Sequence, residues 1–299
     1  MGKTTLVYDV AEELDMEVIV FRPNTRQVED LTGLPDFITE EGQRLTHFCT
    51  PSWLPKSGKG IFFIDELYQA SKTMQNTLSQ PLLERVLGDY KFPEGWRLVA
   101  ASNRAKDRAG INRPDSHIAN RLVQITVEPD VEDSIQWCLD NGIPEVVPAF
   151  IKFRPACLEA FDAKLETNCT GRSLVMASSF LDSDEDIRFE MVSGCIGEGF
   201  GTELLAFNRI WKELPDIEDV EKQPMKAKVS DKPDIQFAIS MALAFRAGLN
   251  NIKPFMKYMG RLPDEHMVAF LSQAVKRNND LIESKEVLDF IDKKGVLLS

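Results

Sequence analysis

The sequence predicts an α/β protein: a parallel sheet with crossover helices, followed by a helical region. Three observations carry this. Short apolar runs recur at EVIVF (17–21), GIFFID (60–65), RLVAAS (97–102) and LVQITV (122–127). They read as buried strands, and helical spacing lies between several of them. After about residue 130 the strand signals stop and amphipathic helical spacing continues to the end.

Taken in order, KTTLVYDVAEEL (3–14) places Leu6, Val7, Val10 and Leu14 on one side of a helix. Residues 22–58 are rich in Pro, Gly, Thr and Asp and read as loops with short elements. A helix is expected over 71–87, kinked or restarted at Pro81 because proline lacks the N–H a helix interior needs. HIANR (117–121) reads as the end of a helix leading into the fourth strand. VEDSIQWCLDNG, VVPAFIKF and RSLVMASSFL then predict a helical domain. Residues 215–234 are polar and hold Pro215, Pro224 and Pro233, so a linker or mobile loop is expected there. The expected division is a nucleotide-binding core at 1–130, a helical lid at 131–214, the linker at 215–234 and a C-terminal helical region at 235–299.

The 299 residues suffice for two domains, and 43% hydrophobic with 27% charged residues is a globular composition. The net charge of −12 disfavours bulk binding to phosphate backbones. The five cysteines, Cys49, Cys138, Cys157, Cys169 and Cys195, show no CxxC spacing, so reduced, buried thiols are expected rather than a disulfide framework or zinc site. His47, His117 and His266 do not cluster in sequence. No apolar run has the length of a membrane span and no leader pattern opens the chain, so a cytoplasmic protein is expected.

Chemistry is carried by polar residues at the ends of these runs. Gly2-Lys3-Thr4-Thr5 matches the end of the phosphate-binding loop G-x-x-x-x-G-K-[ST]. There, backbone N–H groups face the phosphates, the lysine reaches the β- and γ-phosphates, and the Ser/Thr hydroxyl binds Mg²⁺. GIFFIDE has the Walker B form: Asp65 for the metal, Glu66 to orient or deprotonate the attacking water. RLVAASN delivers Asn103, a residue type that positions that water. Arg121, at the end of a helix before a strand, is a candidate arginine finger, with Arg104, Arg108 and Arg113 as rivals. Arg172 opens a later helix, from which it could reach back to the γ-phosphate. These features occur in one workable order along the chain.

Other features take structural readings. GCIGEGFG (194–201) imitates a dinucleotide loop but follows no buried strand, so a close helix contact is expected. DSDED (182–186) lacks the spacing of a calcium loop and reads as a solvated helix start. Trp53 and Trp96 are expected to anchor loops.

In this order and text the chain resembles an AAA+ ATPase of the MoxR-like branch found in bacteria and phages. The resemblance lies in DLTGLP (30–35), TPSWLPKSGKGIFFIDELYQA (50–70), LLERVLGDYKFPEGWRLVAASNRAKDRAG (82–110), HIANRLVQITVEPD (117–130), PAFIKFRP (148–155) and the GRS segment (171–173). It implies a P-loop NTPase core with strand order 5-1-4-3-2, a helical lid, and assembly into a homo-oligomeric ring, expected as a hexamer. It implies Lys3 and Thr4 on ATP and Mg²⁺, Asp65 and Glu66 as Walker B, Asn103 as sensor 1, Arg121 as finger and Arg172 as sensor 2. The implied activity is ATP hydrolysis driving remodelling of protein clients, with a von Willebrand A domain protein as a partner. Alternatives are a DNA-acting AAA+ motor or loader, and a nucleotide-binding scaffold without hydrolysis. Two departures stand out. Gly171 replaces the proline the family places before the sensor 2 arginine, which loosens the expected helix start. The family's first strand and the front half of the Walker A loop would lie before Met1, so a longer natural chain is expected.

Overall fold

The computed structural model describes residues 2–103, 116–158, 162 and 165–294, the side chains of Ser116 and His117 excepted. The chain divides into two compact units, residues 1–128 and 129–299.

In the first unit, helix α1 (Lys3–Glu13) leads into strand β1 (Glu17–Phe21). A short helix α2 (Val28–Thr32) and two strands, β2 (Pro35–Glu40) and β3 (Gln43–Phe48), precede β4 (Lys59–Ile64). Helix α3 (Lys72–Glu84) follows, then β5 (Val86–Leu87), β6 (Tyr90–Lys91), β7 (Gly95–Ala100) and α4 (Ser116–Ala119). Strands β1, β4 and β7 form a parallel sheet with β4 in the middle. Five of the six β4 residues are buried, as a strand covered on both faces must be. On one face Phe21, Phe62, Ile64 and Trp96 pack with Met74 and Leu78 of α3. On the other, Ile61 and Phe63 meet Ala11 of α1. Gly60 is required beneath the Trp96 ring, because a Cβ there would lie 2.7 Å from ring atoms and from the Glu17 carbonyl oxygen.

Three expectations are corrected here. Residues 122–127 form no strand: Val123 and Ile125 are 91% and 82% exposed. A β-branched run becomes a strand only against a free neighbouring edge, and among the described residues it pairs with none. The apolar stripe of α1 is also largely outside the core. Val7 is half-buried and Ala11 buried, while Leu6, Val10 and Leu14 are exposed. Finally, α3 continues through Pro81, whose ring is buried, and stops at Arg85 in the left-handed region.

Among the short elements expected in the loop-rich stretch 22–58 is an antiparallel hairpin, β2–β3. Its turn residues Glu41 and Gly42 both have positive φ, 48° and 79°, which is the twist a two-residue hairpin turn needs.

The second unit is helical: α5 (Val131–Asp140), α6 (Val146–Phe153), α7 (Gly171–Ser178), α8 (Glu185–Ile196), α9 (Glu198–Lys212), α10 (Ile217–Lys222), α11 (Pro233–Arg246), α12 (Ile252–Met259), α13 (Asp264–Arg277) and α14 (Lys285–Lys294). Helix α11 is buried nearly all round. Ala238, Met241 and Phe245 face one core with α5 to α9, and Ile239, Ala242 and Leu243 face a second with α12 and α13. The expected linker 215–234 is instead tied down. It contains α10 with buried Val220, and its Pro224, Ala227 and Lys228 carbonyls accept hydrogen bonds from Arg261 and Tyr258. The glycine run at 194–201 is the expected helix contact: Gly197 joins α8 to α9, and a Cβ on Gly201 would meet Ser193 Oγ at 2.5 Å. Among the described residues no helix is long and apolar enough to cross a membrane.

Candidate active site

Strand register assembles the site. Phe21 pairs with Ile64, and Ile64 with Ala100, so all three strands end in one row. The polar residues that follow each strand therefore leave from one edge of the sheet: Arg22 and Asn24, Asp65 and Glu66, Ser102 and Asn103. Carboxyl edges of parallel sheets are where ligands bind in such folds. The loops are tied to each other by backbone. Asp65 N–H donates to the Phe21 carbonyl (2.9 Å), Leu67 N–H to the Ala101 carbonyl (3.0 Å), and Tyr68 N–H to Ser102 Oγ (2.9 Å).

Helix α1 begins at the same edge. Lys3 Nζ donates to Asn103 Oδ1 at 3.1 Å, joining the phosphate-loop lysine to the residue after β7. Gly2 caps the helix with φ 92°, a left-handed conformation that glycine adopts without steric cost. The N–H groups of Lys3, Thr4 and Thr5 lie in the first turn, where no intrahelical acceptor exists, and no acidic side chain occupies that turn. Exposed donors and the positive end of the helix dipole make that turn favourable to an anion.

Glu66 has φ 60° and ψ 39°, a left-handed conformation costing a non-glycine residue about 1–3 kcal/mol. The backbone ties on either side of it hold it there. Its Oε2 accepts from Asn24 Nδ2 at 2.9 Å. The Asp65 side chain is only 16% exposed, and among the described residues its ion-pair partner is Arg22, with Nε 3.8 Å from Oδ2. That is an ion pair too long for a hydrogen bond.

The structure thus brings Lys3, Asn103, Asp65 and Glu66 to one sheet edge, with Gly2, Thr4 and Thr5 on the helix that carries Lys3. Arg121 is engaged elsewhere: its Nη1 donates to the Ser79 carbonyl of α3 at 2.7 Å. Arg104, Arg108 and Arg113 lie outside the described residues. Arg172 stands exposed in the first turn of α7, in the other unit. The loose start expected from Gly171 is not found. Thr170 caps α7 reciprocally with Ser173, and a Cβ on Gly171 would have room.

The sequence reading missed Asn24 and Arg22. The signal for both was present: they follow an apolar strand, as Asp65-Glu66 and Asn103 do. Trp53 and Trp96 anchor loops as expected. Trp53 stacks on Phe21 at 5.4 Å and donates to the Asp30 carbonyl, and Trp96 donates to the Ser57 carbonyl. Among the described residues, no group of three or more His, Cys, Asp or Glu side chains is placed to hold a metal ion. Comparison of the chain with known protein families gives no match, and comparison with curated proteins gives no match.

Proposed function

We propose that this chain is an AAA+ ATPase of the MoxR-like type, binding and hydrolysing ATP to remodel protein clients within a homo-oligomeric ring. The observation that carries the reading is the Lys3–Asn103 hydrogen bond beside Asp65 and Glu66, at the carboxyl edge of a parallel sheet. Four residue types that phosphoryl chemistry needs are gathered there from segments far apart in sequence.

The roles follow from the side chains. Lys3 and the first-turn N–H groups of α1 hold phosphate oxygens. Glu66 is the base for the attacking water, and Asn103 orients that water against the γ-phosphate. Asn24 holds the Glu66 carboxylate until substrate is in place. Thr4 and Asp65 offer hard oxygen donors suited to Mg²⁺, which takes one or two protein oxygens and completes its shell with phosphate and water. Among the described residues no hydrogen bond reaches the largely buried Asp65 carboxylate, which fits a cation partner. Bound there, the ion would neutralise charge on the phosphates. Arg121, or one of Arg104, Arg108 and Arg113, serves as the finger toward a neighbouring subunit, and Arg172 as sensor 2. The net charge of −12 favours a protein client over a nucleic-acid track.

The test is ATP turnover with Mg²⁺, alongside binding of a fluorescent ATP analogue, for wild type and Glu66→Gln. Binding retained in both, with turnover in wild type and at least ~100-fold less in the variant, supports the reading. Binding without turnover in folded, assembled wild type favours the non-hydrolysing scaffold.

A further inference from the structure

Helix α8 carries an apolar face left open to water. Val192 and Ile196 turn into the first helical core, but Ile187 and Met191, one turn apart on the same side of the helix, are 51% and 39% exposed. Met176 of α7, the helix packed beside α8, is 53% exposed. Acidic residues crowd this end of α8. Asp184, Glu185, Asp186 and Glu190 have no ion-pair partner among the described residues. The neighbouring cations are already engaged, Lys212 with Asp182 and Arg188 with the Ser183 carbonyl.

The other side of the same unit carries the reverse. The stretch 224–228 lies along the end of α12, where Arg261 donates to the Pro224 and Ala227 carbonyls and Tyr258 to the Lys228 carbonyl. Those bonds gather the exposed Lys226 and Lys228 with Lys257 of α12, and Met225 between them is 65% exposed. None of these three lysines is in an ion pair among the described residues. Helix α11 separates the two surfaces: α8 belongs to the core on one side of it, α12 to the core on the other. They therefore cannot meet within one copy.

We infer that these surfaces are the two halves of one interface between copies of this chain, the α8 face of one copy seating on the lysine face of the next. Their charges are opposite, and each places exposed apolar side chains beside its charged ones, so the pair makes an apolar centre with a charged rim. Two different faces that pair repeat head to tail, and such contacts close into a ring or extend into a filament. The inference rests on the proposed ring and names surfaces that build it.

The experiment is sedimentation velocity of the full chain at 50 and 500 mM NaCl, with and without Mg²⁺ and ATP. Wild type is compared with Glu185→Lys/Asp186→Lys/Glu190→Lys and with Lys226→Glu/Lys228→Glu/Lys257→Glu, circular dichroism confirming the fold of each. Wild type is expected to form species larger than a dimer, at least about tenfold more weakly at 500 mM because salt screens the rim. Each variant alone should be monomeric. Their equimolar mixture should stop at dimers, because the lysine face of the first and the α8 face of the second leave one intact pairing. If the α8 variant does not fold, the lysine variant decides alone. Assembly that survives in a folded variant, or folded monomeric variants whose mixture fails to pair, overturns this interface and leaves the ring standing. A wild type that is monomeric under every condition overturns the ring as well. Oligonucleotide binding lost in the lysine variant, with its assembly intact, would assign that face to nucleic acid instead.

Discussion

Asn24 donates from Nδ2 to Glu66 Oε2 at 2.9 Å, bridging 42 positions of sequence. The bond crosses from the end of β1 to the end of β4 and occupies a carboxylate oxygen of the proposed base. A carboxylate that accepts a charge-assisted hydrogen bond is a weaker base, because that bond stabilises the charged form over the protonated one. Asn24→Ala therefore raises ATP turnover in the absence of client, by no more than about tenfold, since one such bond contributes roughly 1.5 kcal/mol. Steady-state turnover of the variant checks this. A large fall would show that Asn24 aims Glu66 rather than restraining it.

Lys3 and Asn103 share a hydrogen bond but have different proposed duties. Lys3→Ala removes a phosphate ligand and weakens binding of the ATP analogue by at least about tenfold, the loss expected for a charge-assisted contact. Asn103→Ala leaves binding nearly unchanged and lowers turnover by about 10²-fold, the loss typical of one positioned polar group. Titration and turnover measured on the same preparations separate the two. Equal effects on binding would argue against a water-positioning Asn103.

Phe62 sits among Phe21, Trp53 and Phe92, with ring centroids 6.0, 5.9 and 5.1 Å away. It is fully buried on the central strand. Phe62→Ala is expected to destabilise the first unit by about 3–5 kcal/mol. Urea unfolding followed by tryptophan fluorescence reports it, because Trp53 and Trp96 lie in the same core.

Tyr90 donates its hydroxyl to the Pro55 carbonyl, and burial, partly countered by the Arg85 charge, pushes the phenol up to about 12. The folded state therefore favours the neutral phenol. Its contribution is fully present below pH 10, the ordinary tyrosine value, and is lost as pH rises from 10 to 12. Tyr90→Phe should lower stability at pH 8 by about 1 kcal/mol. It should also flatten the decline between pH 10 and 12, measured by thermal melts across that range.

Val123 and Ile125 are exposed on a segment without regular secondary structure and with no partner strand among the described residues. Val123→Lys with Ile125→Lys should change unfolding free energy by less than about 0.5 kcal/mol, because neither side chain leaves water on folding. The same pair should reduce concentration-dependent self-association in light scattering, since β-branched apolar residues on an unpaired strand-like segment invite pairing between chains.

Much of the candidate site was legible because its parts are local. GIFFIDE and RLVAASN each join an apolar strand to a polar end, and strand register converts those ends into one edge. Asn24 was less legible because PNT reads as turn chemistry, and only the position of Glu66 gives it a partner. Cys157 and Cys169 showed no spacing motif, and their burial in one core follows from how the helices of the second unit pack.

The sequence by itself determined where β1, β4 and β7 run, that helices take over after residue 130, and which polar residues end each strand. Those are consequences of side-chain periodicity and apolar content within short windows. The tertiary structure decided what pairs with what. It placed β4 between β1 and β7, left residues 122–127 outside the ladder, turned 35–48 into a hairpin, and engaged Arg121 with α3. The physical reason is that a strand or a buried polar contact needs a partner from elsewhere in the chain. Whether that partner's edge or acceptor is within reach is a property of the assembled fold, not of any window of residues.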